Sequence, residues 1–192
     1  DYLAPQLYWR IKGSQSFPLL LEWWRNQGRR PVWPGLGTSR IKSSEDPGRP
    51  ASELVNQVKL SRSIGRNYVG HVHWSAKALM ENRGGITTAL SKSIYTHPAL
   101  VPPMPWVNES RPRKPQVSAG SGNKGTTRLR WSKDSSATKY VVQARYGARW
   151  NTYAVTHGSC LELTLRGSPD AVAVSGVNRY GNTSEATVLG RR

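Results

Sequence analysis

The run Asp1-Tyr2-Leu3-Ala4-Pro5-Gln6-Leu7-Tyr8-Trp9 has the character of a strand, with Tyr2-Leu3-Ala4 as its buried stretch. A helical period follows it. Phe17, Leu20, Leu21 and Trp24 fall on one face of a helix predicted over Phe17–Gln27, and Gly28 is placed to end it. Moving outward, Pro31–Leu36 reads as a second short strand with a bend at Gly35 and Gly37. Ala51–Ile64 reads as a second helix, with Leu54, Val58 and Ile64 on one side and Gly65 as the stop. Asn67–Ser75 reads as a third strand, and residues 86–94, through Ile86, Leu90 and Ile94, as a last helix. Strands alternating with helices imply a parallel sheet with crossover connections. A complete (β/α)8 barrel needs about 250 residues, so these three units cannot close one.

Near residue 110 the composition changes. Pro102-Pro103-Met104-Pro105-Trp106 through Lys114-Pro115 excludes regular helix and central strand, and 107–114 is read as a linker. Beyond it, β-patterned runs alternate with Gly, Ser and Asn turns. They are Gln116–Ser118, Thr127–Trp131, Lys139–Tyr146, Asn151–Val155, Cys160–Leu165, Ala171–Val177 and Ala186–Leu189. Seven short strands in about 80 residues describe an immunoglobulin-like sandwich. Trp131 is the expected buried anchor of the second strand, and Arg179-Tyr180-Gly181-Asn182 is a turn whose residues tolerate positive φ.

The net charge is +17 over 192 residues. It is spread along the chain, +7 over residues 1–109 and +10 over 110–192, and tightens only at Arg111, Arg113 and Lys114. A generally basic surface accounts for this, and nucleic acid is disfavoured as a partner. No apolar stretch is long enough for a membrane-spanning helix. The single cysteine, Cys160, excludes an internal disulfide and is expected as a small core residue. The sequence starts at Asp1, directly in a strand-like run, so an upstream portion of the parent protein is expected.

The ordered set Asp1–Trp9, Glu22-Trp23-Trp24, Gly35-Leu36-Gly37, Gln57 with Arg62, Gly70 with Trp74-Ser75-Ala76-Lys77, and Tyr95 with Pro98-Ala99-Leu100 and Pro102-Pro103-Met104-Pro105-Trp106 resembles the end of the glycosyl-hydrolase-like 10 family. The resemblance covers residues 1–106 and implies the last three units of a (β/α)8 barrel, with Asp1–Trp9, Pro31–Leu36 and Gly70–Ser75 as its sixth to eighth strands. The eighth strand departs from the family at His71 and His73, where apolar residues are usual. Residues 115–192 resemble a fibronectin type III module on Leu129-Arg130-Trp131, Ala137-Thr138-Lys139-Tyr140-Val141-Val142 and Val174-Ser175-Gly176-Val177-Asn178-Arg179-Tyr180-Gly181-Asn182-Thr183-Ser184. The fold class expected is therefore α/β, a partial (β/α)8 barrel, followed by an all-β sandwich. The resemblance implies a cell-envelope or secreted bacterial protein, extracytoplasmic, acting on polysaccharide such as peptidoglycan glycan strands, with the missing N-terminal part of the barrel as its partner.

Glycoside hydrolysis needs two carboxylates, which barrel enzymes carry at strand C-termini. Asp1 begins its strand, Glu22 and Glu53 lie in helices, and Glu109 lies in the linker. Glu45, Asp46 and Glu81 fall in loops on the expected active face but form no convincing pair. No catalytic residue is assigned in this chain. What remains is a share of a substrate-binding wall. Gln6 and Tyr8 share a strand face near its C-terminal end, Trp9 sits at the exit, and Trp74 offers an aromatic platform. Trp23 and Trp24 read as helix-packing residues, and Trp33 stays undecided. His71 and His73 have the spacing of a metal pair, but no carboxylate or cysteine lies near them in sequence, and no metal or cofactor is expected. Phosphate-loop, nucleophile-elbow and zinc-cysteine patterns are missing. The competing reading is a basic module that binds carbohydrate or polyanion without catalysis, through Arg128, Arg130, Lys139, Arg145 and Arg149.

Overall fold

The structure is a computed structural model and describes residues 2–64 and 70–190. Two compact units divide the chain, Asp1–Thr96 and His97–Arg192. The first runs β1 (Gln6–Leu7), α1 (Phe17–Arg25), β2 (Gly35–Leu36), α2 (Ala51–Ile64), β3 (Val72–His73), α3 (Ala76–Met80) and α4 (Ile86–Ser93). Its strands pair in parallel in the order β1-β2-β3. The register sets Gln6 beside Gly35 and Val72, and Leu7 beside Leu36 and His73.

Each strand is shorter than its pattern predicts, and proline is the reason for β1 and β2. Pro5, Pro31 and Pro34 have no N–H to give to a ladder. Neighbouring amides carry the alignment instead: Leu3 N donates to Pro31 O at 2.9 Å, Trp33 N to Leu3 O at 2.8 Å and Gly35 N to Pro5 O at 2.8 Å. The start of the third strand, Asn67–Val69, and the predicted helix stop Gly65 lie outside the described residues. α1 ends at Arg25 rather than Gln27: Gln27 N donates to Trp24 O at 3.1 Å, and the Gln27 side chain takes up Trp23 O at 2.8 Å. α3 is a helix that the periodicity did not show; five residues are too few to display a helical period.

One face of the sheet is packed by helices. Leu7 and Leu36 meet Phe17 and Leu21 of α1, Leu54, Val55 and Val58 of α2, and Ile86 and Leu90 of α4 in one buried cluster. α4 starts without a cap from its flanking Gly85. Asn82 supplies one from a distance, its Oδ1 accepting from Thr87 N at 2.9 Å and Thr88 N at 3.2 Å.

The second unit contains β4 (Val117–Ser121), β5 (Thr127–Trp131), β6 (Lys139–Tyr146), β7 (Arg149–His157), β8 (Glu162–Leu165), β9 (Ala171–Val177) and β10 (Thr187–Gly190). All pairs are antiparallel, in one sheet β4-β5-β8 and another β10-β9-β6-β7. This three-plus-four arrangement makes the unit an all-β, fibronectin type III-like sandwich. Leu129, Trp131 and Leu165 from one sheet and Tyr140, Val142, Ala144, Val172 and Val174 from the other form its core. Trp131 is 5% exposed, as its pattern requires of an anchor. Cys160 corrects the expectation of a core cysteine. It is half-buried ahead of β8, its thiol 3.2 Å from Glu162 O, because the strand's inward positions begin later and end at Leu165.

The proline-rich stretch before β4 is fastened onto the β9–β10 turn. Met104 N donates to Tyr180 O at 2.9 Å, and the Asn178 side chain donates to Ser110 O at 2.8 Å. Gly181 is required here on two counts. Its φ is 79°, and a Cβ would sit 3.1 Å from both Pro103 Cα and Val101 O.

Candidate functional site

The face of the first sheet away from the helices has three rows. Ala4, Trp33 and Gly70 lie lowest, Gln6, Gly35 and Val72 next, and Tyr8, Gly37 and Trp74 at the C-terminal ends, by the parallel register continued in both directions. Hydrogen bonds sustain the top row, since Trp74 N donates to Leu36 O at 2.9 Å and Ser39 N to Trp74 O at 2.7 Å. The middle strand carries glycine in the two upper rows. A Cβ at Gly37 would stand 3.1 Å from Tyr8 Cβ, and one at Gly35 would stand 3.6 Å from Tyr8 Cε1. The Tyr8 side chain therefore lies across β2 in space that side chains would otherwise fill.

Gln6 is exposed, Tyr8 is half-buried, and Trp74 is 58% exposed. The structure thus brings these three sequence candidates to one end of one face, with Gln6 and Tyr8 on β1 and Trp74 two strands away, roughly 10 Å by ordinary strand spacing. An amide, a phenol and an open indole can receive a polyhydroxylated ring through hydrogen bonds and stacking. Trp9, the fourth candidate, lies past the end of β1. Its carbonyl accepts from Gln57 Nε2 at 2.8 Å, and its indole is 38% exposed.

Two arginines that carried no signal in the sequence secure Tyr8. Arg49 is 3% exposed, and its Nη2 donates to Tyr8 O at 2.7 Å while its Nε donates to Asp46 at 2.7 Å. Arg40 donates to the same carbonyl at 3.3 Å, with its guanidinium 5.6 Å from the Tyr8 ring centre. Arg10 also pairs with Asp46, so the loops after β1 and β2 are knitted at one carboxylate. The Arg10 and Arg49 hydrogen bonds hold the Asp46 carboxyl down at about 2 against partial desolvation. Burial pushes the Tyr8 phenol above its ordinary value, with Arg40 opposing. Apart from the Arg49–Asp46 pair, these ties join residues 32 to 41 positions apart, which is why no local pattern announces them.

The three loop carboxylates are all engaged by cations. Asp46 is held as above, Glu45 lies 3.3 Å from Arg40, and Glu81 lies 2.5 Å from Arg83. For Asp46 and Glu81 the arginine hydrogen bonds lower the carboxyl pKa and favour the ionised form. Trp33 is buried and stacked on Tyr2 at 3.9 Å. Trp24 packs against the core cluster, while its neighbour Trp23 is 55% exposed. His71 and His73 lie on the opposite, helix-bearing side of β3, away from Trp74. Among the described residues, no three of His, Cys, Asp and Glu gather as metal ligands.

The basic residues of the sandwich do not share one surface. Arg128 and Arg130 both reach Glu162, at 3.5 Å and 2.7 Å, on the β4-β5-β8 sheet. Lys139, Arg145 and Arg149 belong to the other sheet, where Arg145 lies 5.7 Å over the Trp150 ring. Among the described residues, no helix is long and apolar enough to cross a membrane.

No protein-family profile matches the chain. A curated relative, the glycosyl hydrolase YngK of Bacillus subtilis (strain 168), is 34% identical over 151 residues, covering 76% of this chain. The chain spans 29% of that relative's length. Solved structures similar to the chain include the crystal structure of FN3tt, at 28% identity and TM-score 0.35, covering 42% of this chain and 91% of that one. Another is an Fn3-like protein from Clostridium thermocellum, at 24% identity and TM-score 0.32, covering 41% and 88%. A third is the glycoside hydrolase domain of Endo-D from Streptococcus pneumoniae R6, at 18% identity and TM-score 0.35, covering 43% and 15%. The chain is a relative of a glycosyl hydrolase and carries a fibronectin type III-like sandwich after its three parallel strand–helix units.

Proposed function

We propose that this chain is the C-terminal part of a glycosyl-hydrolase-like 10 protein, a cell-envelope or secreted glycoside hydrolase acting on polysaccharide of the peptidoglycan glycan-strand kind. Its first unit contributes the last three units of a (β/α)8 barrel. Gln6, Tyr8, Trp9 and Trp74 form part of the substrate wall, and the catalytic carboxylates belong to the portion before Asp1. The observation that carries the reading is that Gln6, Tyr8 and Trp74 share one face toward the C-terminal ends of the two outer strands of the parallel sheet, with Gln6 and Trp74 exposed. That is where barrel enzymes place substrate, and the chain is 34% identical to a glycosyl hydrolase.

In this reading Gln6 exchanges hydrogen bonds with sugar hydroxyls, and Trp74 covers the apolar face of a ring. Tyr8, braced by Arg40 and Arg49, sets the height of the floor. The chain alone releases no sugar, because Glu45, Asp46 and Glu81 are each committed to an arginine.

The test is binding of the chain to peptide-free peptidoglycan glycan at rising salt. Retention that is insensitive to salt and falls about tenfold or more in Trp74→Ala, as loss of a stacking contact of ~1.5 kcal/mol would give, supports the wall. Equal retention by Trp74→Ala and Gln6→Ala overturns it. Retention that collapses with salt and is indifferent to both substitutions supports the competing polyanion-binding module.

A further inference from the structure

We propose that His71, His73 and Tyr95 form a binding site for a divalent transition-metal ion of the zinc class, on the helix-bearing side of β3 and separate from the glycan wall. Alternation along the strand puts both imidazoles on one side, and their rings meet edge to face at 5.2 Å. Both Nε2 atoms converge on one oxygen, the Tyr95 hydroxyl, at 2.8 Å from His73 and in hydrogen-bond contact from His71. Three donor atoms that already crowd one point need little rearrangement to surround an ion at the ~2.0–2.1 Å of a zinc–nitrogen bond.

The outer support is also in place. His73 Nδ1 lies 2.7 Å from Thr38 Oγ1, and Thr38 is fully buried. With the Thr38 hydroxyl hydrogen directed to Leu36 O at 3.4 Å, its oxygen accepts from His73 Nδ1–H, and the Nε2 lone pair accepts from the Tyr95 hydroxyl until an ion takes it. This is the arrangement that orients metal-ligating histidines in general. Both rings are half-buried, and Tyr95 is 36% exposed, so an ion can reach them.

Arg62 opposes a cation here. Its guanidinium lies 5.6 Å from the Tyr95 ring centre, and its Nη1 donates to Ile94 O at 3.2 Å. That repulsion acts on any divalent ion alike; it is the two imidazole nitrogens that favour zinc or copper over calcium or magnesium, which need oxygen donors. The balance of the step is simple. The ion takes the two Nε2 lone pairs and the Tyr95 oxygen, the His71 ring proton moves to Nδ1, and the phenol proton leaves to solvent. One proton is released per ion, so affinity rises with pH.

The experiment titrates the full chain with zinc chloride, and separately with magnesium chloride, by calorimetry in two buffers of different ionisation enthalpy. Imidazole nitrogen NMR is followed in parallel. Expected are one-to-one zinc binding with proton release, no magnesium binding, and shifts of the His71 and His73 Nε2 signals. Affinity should fall at least tenfold in His71→Asn and in His73→Asn, and about tenfold in Thr38→Val. His97→Asn and His157→Asn should leave it unchanged. Zinc binding that survives in the double His71→Asn/His73→Asn variant overturns the site, as does no binding at all. If the substituted chains fail to fold, the unsubstituted chain decides: zinc shifting His97 or His157 signals instead of His71 and His73 overturns it equally.

Discussion

At Gly70 one hydrogen atom is all the structure admits. A Cβ there would stand 2.7 Å from Trp33 Cδ2, against an indole that is itself buried and stacked on Tyr2. Gly70→Ala is expected to destabilise the first unit by ~1–3 kcal/mol, the range for overpacking, with denaturant unfolding and near-ultraviolet circular dichroism of Trp33 as the checks. Tyr140 shows a different dependence on detail. Its hydroxyl donates to Ser132 O at 3.3 Å and accepts from Asp134 N at 2.8 Å, with the ring fully buried. Tyr140→Phe keeps the packing and strands the Asp134 amide, so a loss of ~1–3 kcal/mol in the sandwich is expected from denaturant melts. Neither partner set is visible from the residue alone. Gly70 reads as a strand glycine and Tyr140 as an alternating aromatic, and their constraints come from chain far away.

At the scale of elements, β3 and its surroundings carry a pH dependence. His71 and His73 titrate near 6.5 in the unfolded chain and are held at about 4 when folded. Between those values the unfolded state binds more protons, so stability is full above about 6.5 and declines as pH falls toward 4. Asp46 adds a second loss lower down, from its ordinary 3.8 toward about 2, as its pairs with Arg10 and Arg49 are protonated away. Denaturation of the chain at roughly pH 7 and pH 4.5 should show the first unit weakened and the sandwich little changed. Replacing both histidines by Asn should flatten the difference. An unchanged slope in that variant would remove the histidines as its source.

For the molecule as a whole, the two units differ in how completely they bury their sheets. The sandwich closes two sheets over a shared core drawn from both. In the first unit, among the described residues, β1 and β3 each have one strand neighbour, and the face bearing Gln6, Val72 and Trp74 is open. Parallel sheets are ordinarily covered on both faces, and open edges invite association. The segment 97–192 is therefore expected to melt cooperatively and reversibly on its own, while 1–96 is expected to aggregate or melt broadly. Scanning calorimetry with light scattering of the two separate segments checks this. A sharp, reversible transition of 1–96 would contradict it.

Periodicity and punctuation were enough for the element plan. Phe17, Leu21, Leu54, Val58, Ile86 and Leu90 land in the first core, and the seven sandwich strands fall on the seven β-patterned runs, because burial on one face imposes a local period on the chain. The sharing of a face by Gln6 and Tyr8 was legible for the same reason. Partnership over distance was not. That Asp46 joins Arg10 to Arg49, that Tyr8 lies over Gly35 and Gly37, that Cys160 misses the core, and that two imidazoles on β3 meet a phenol after α4 all arise between residues far apart in the chain. Hydrophobic pattern is a one-dimensional consequence of burial, whereas a hydrogen bond or an ion pair forms only where the packed elements bring its two ends together.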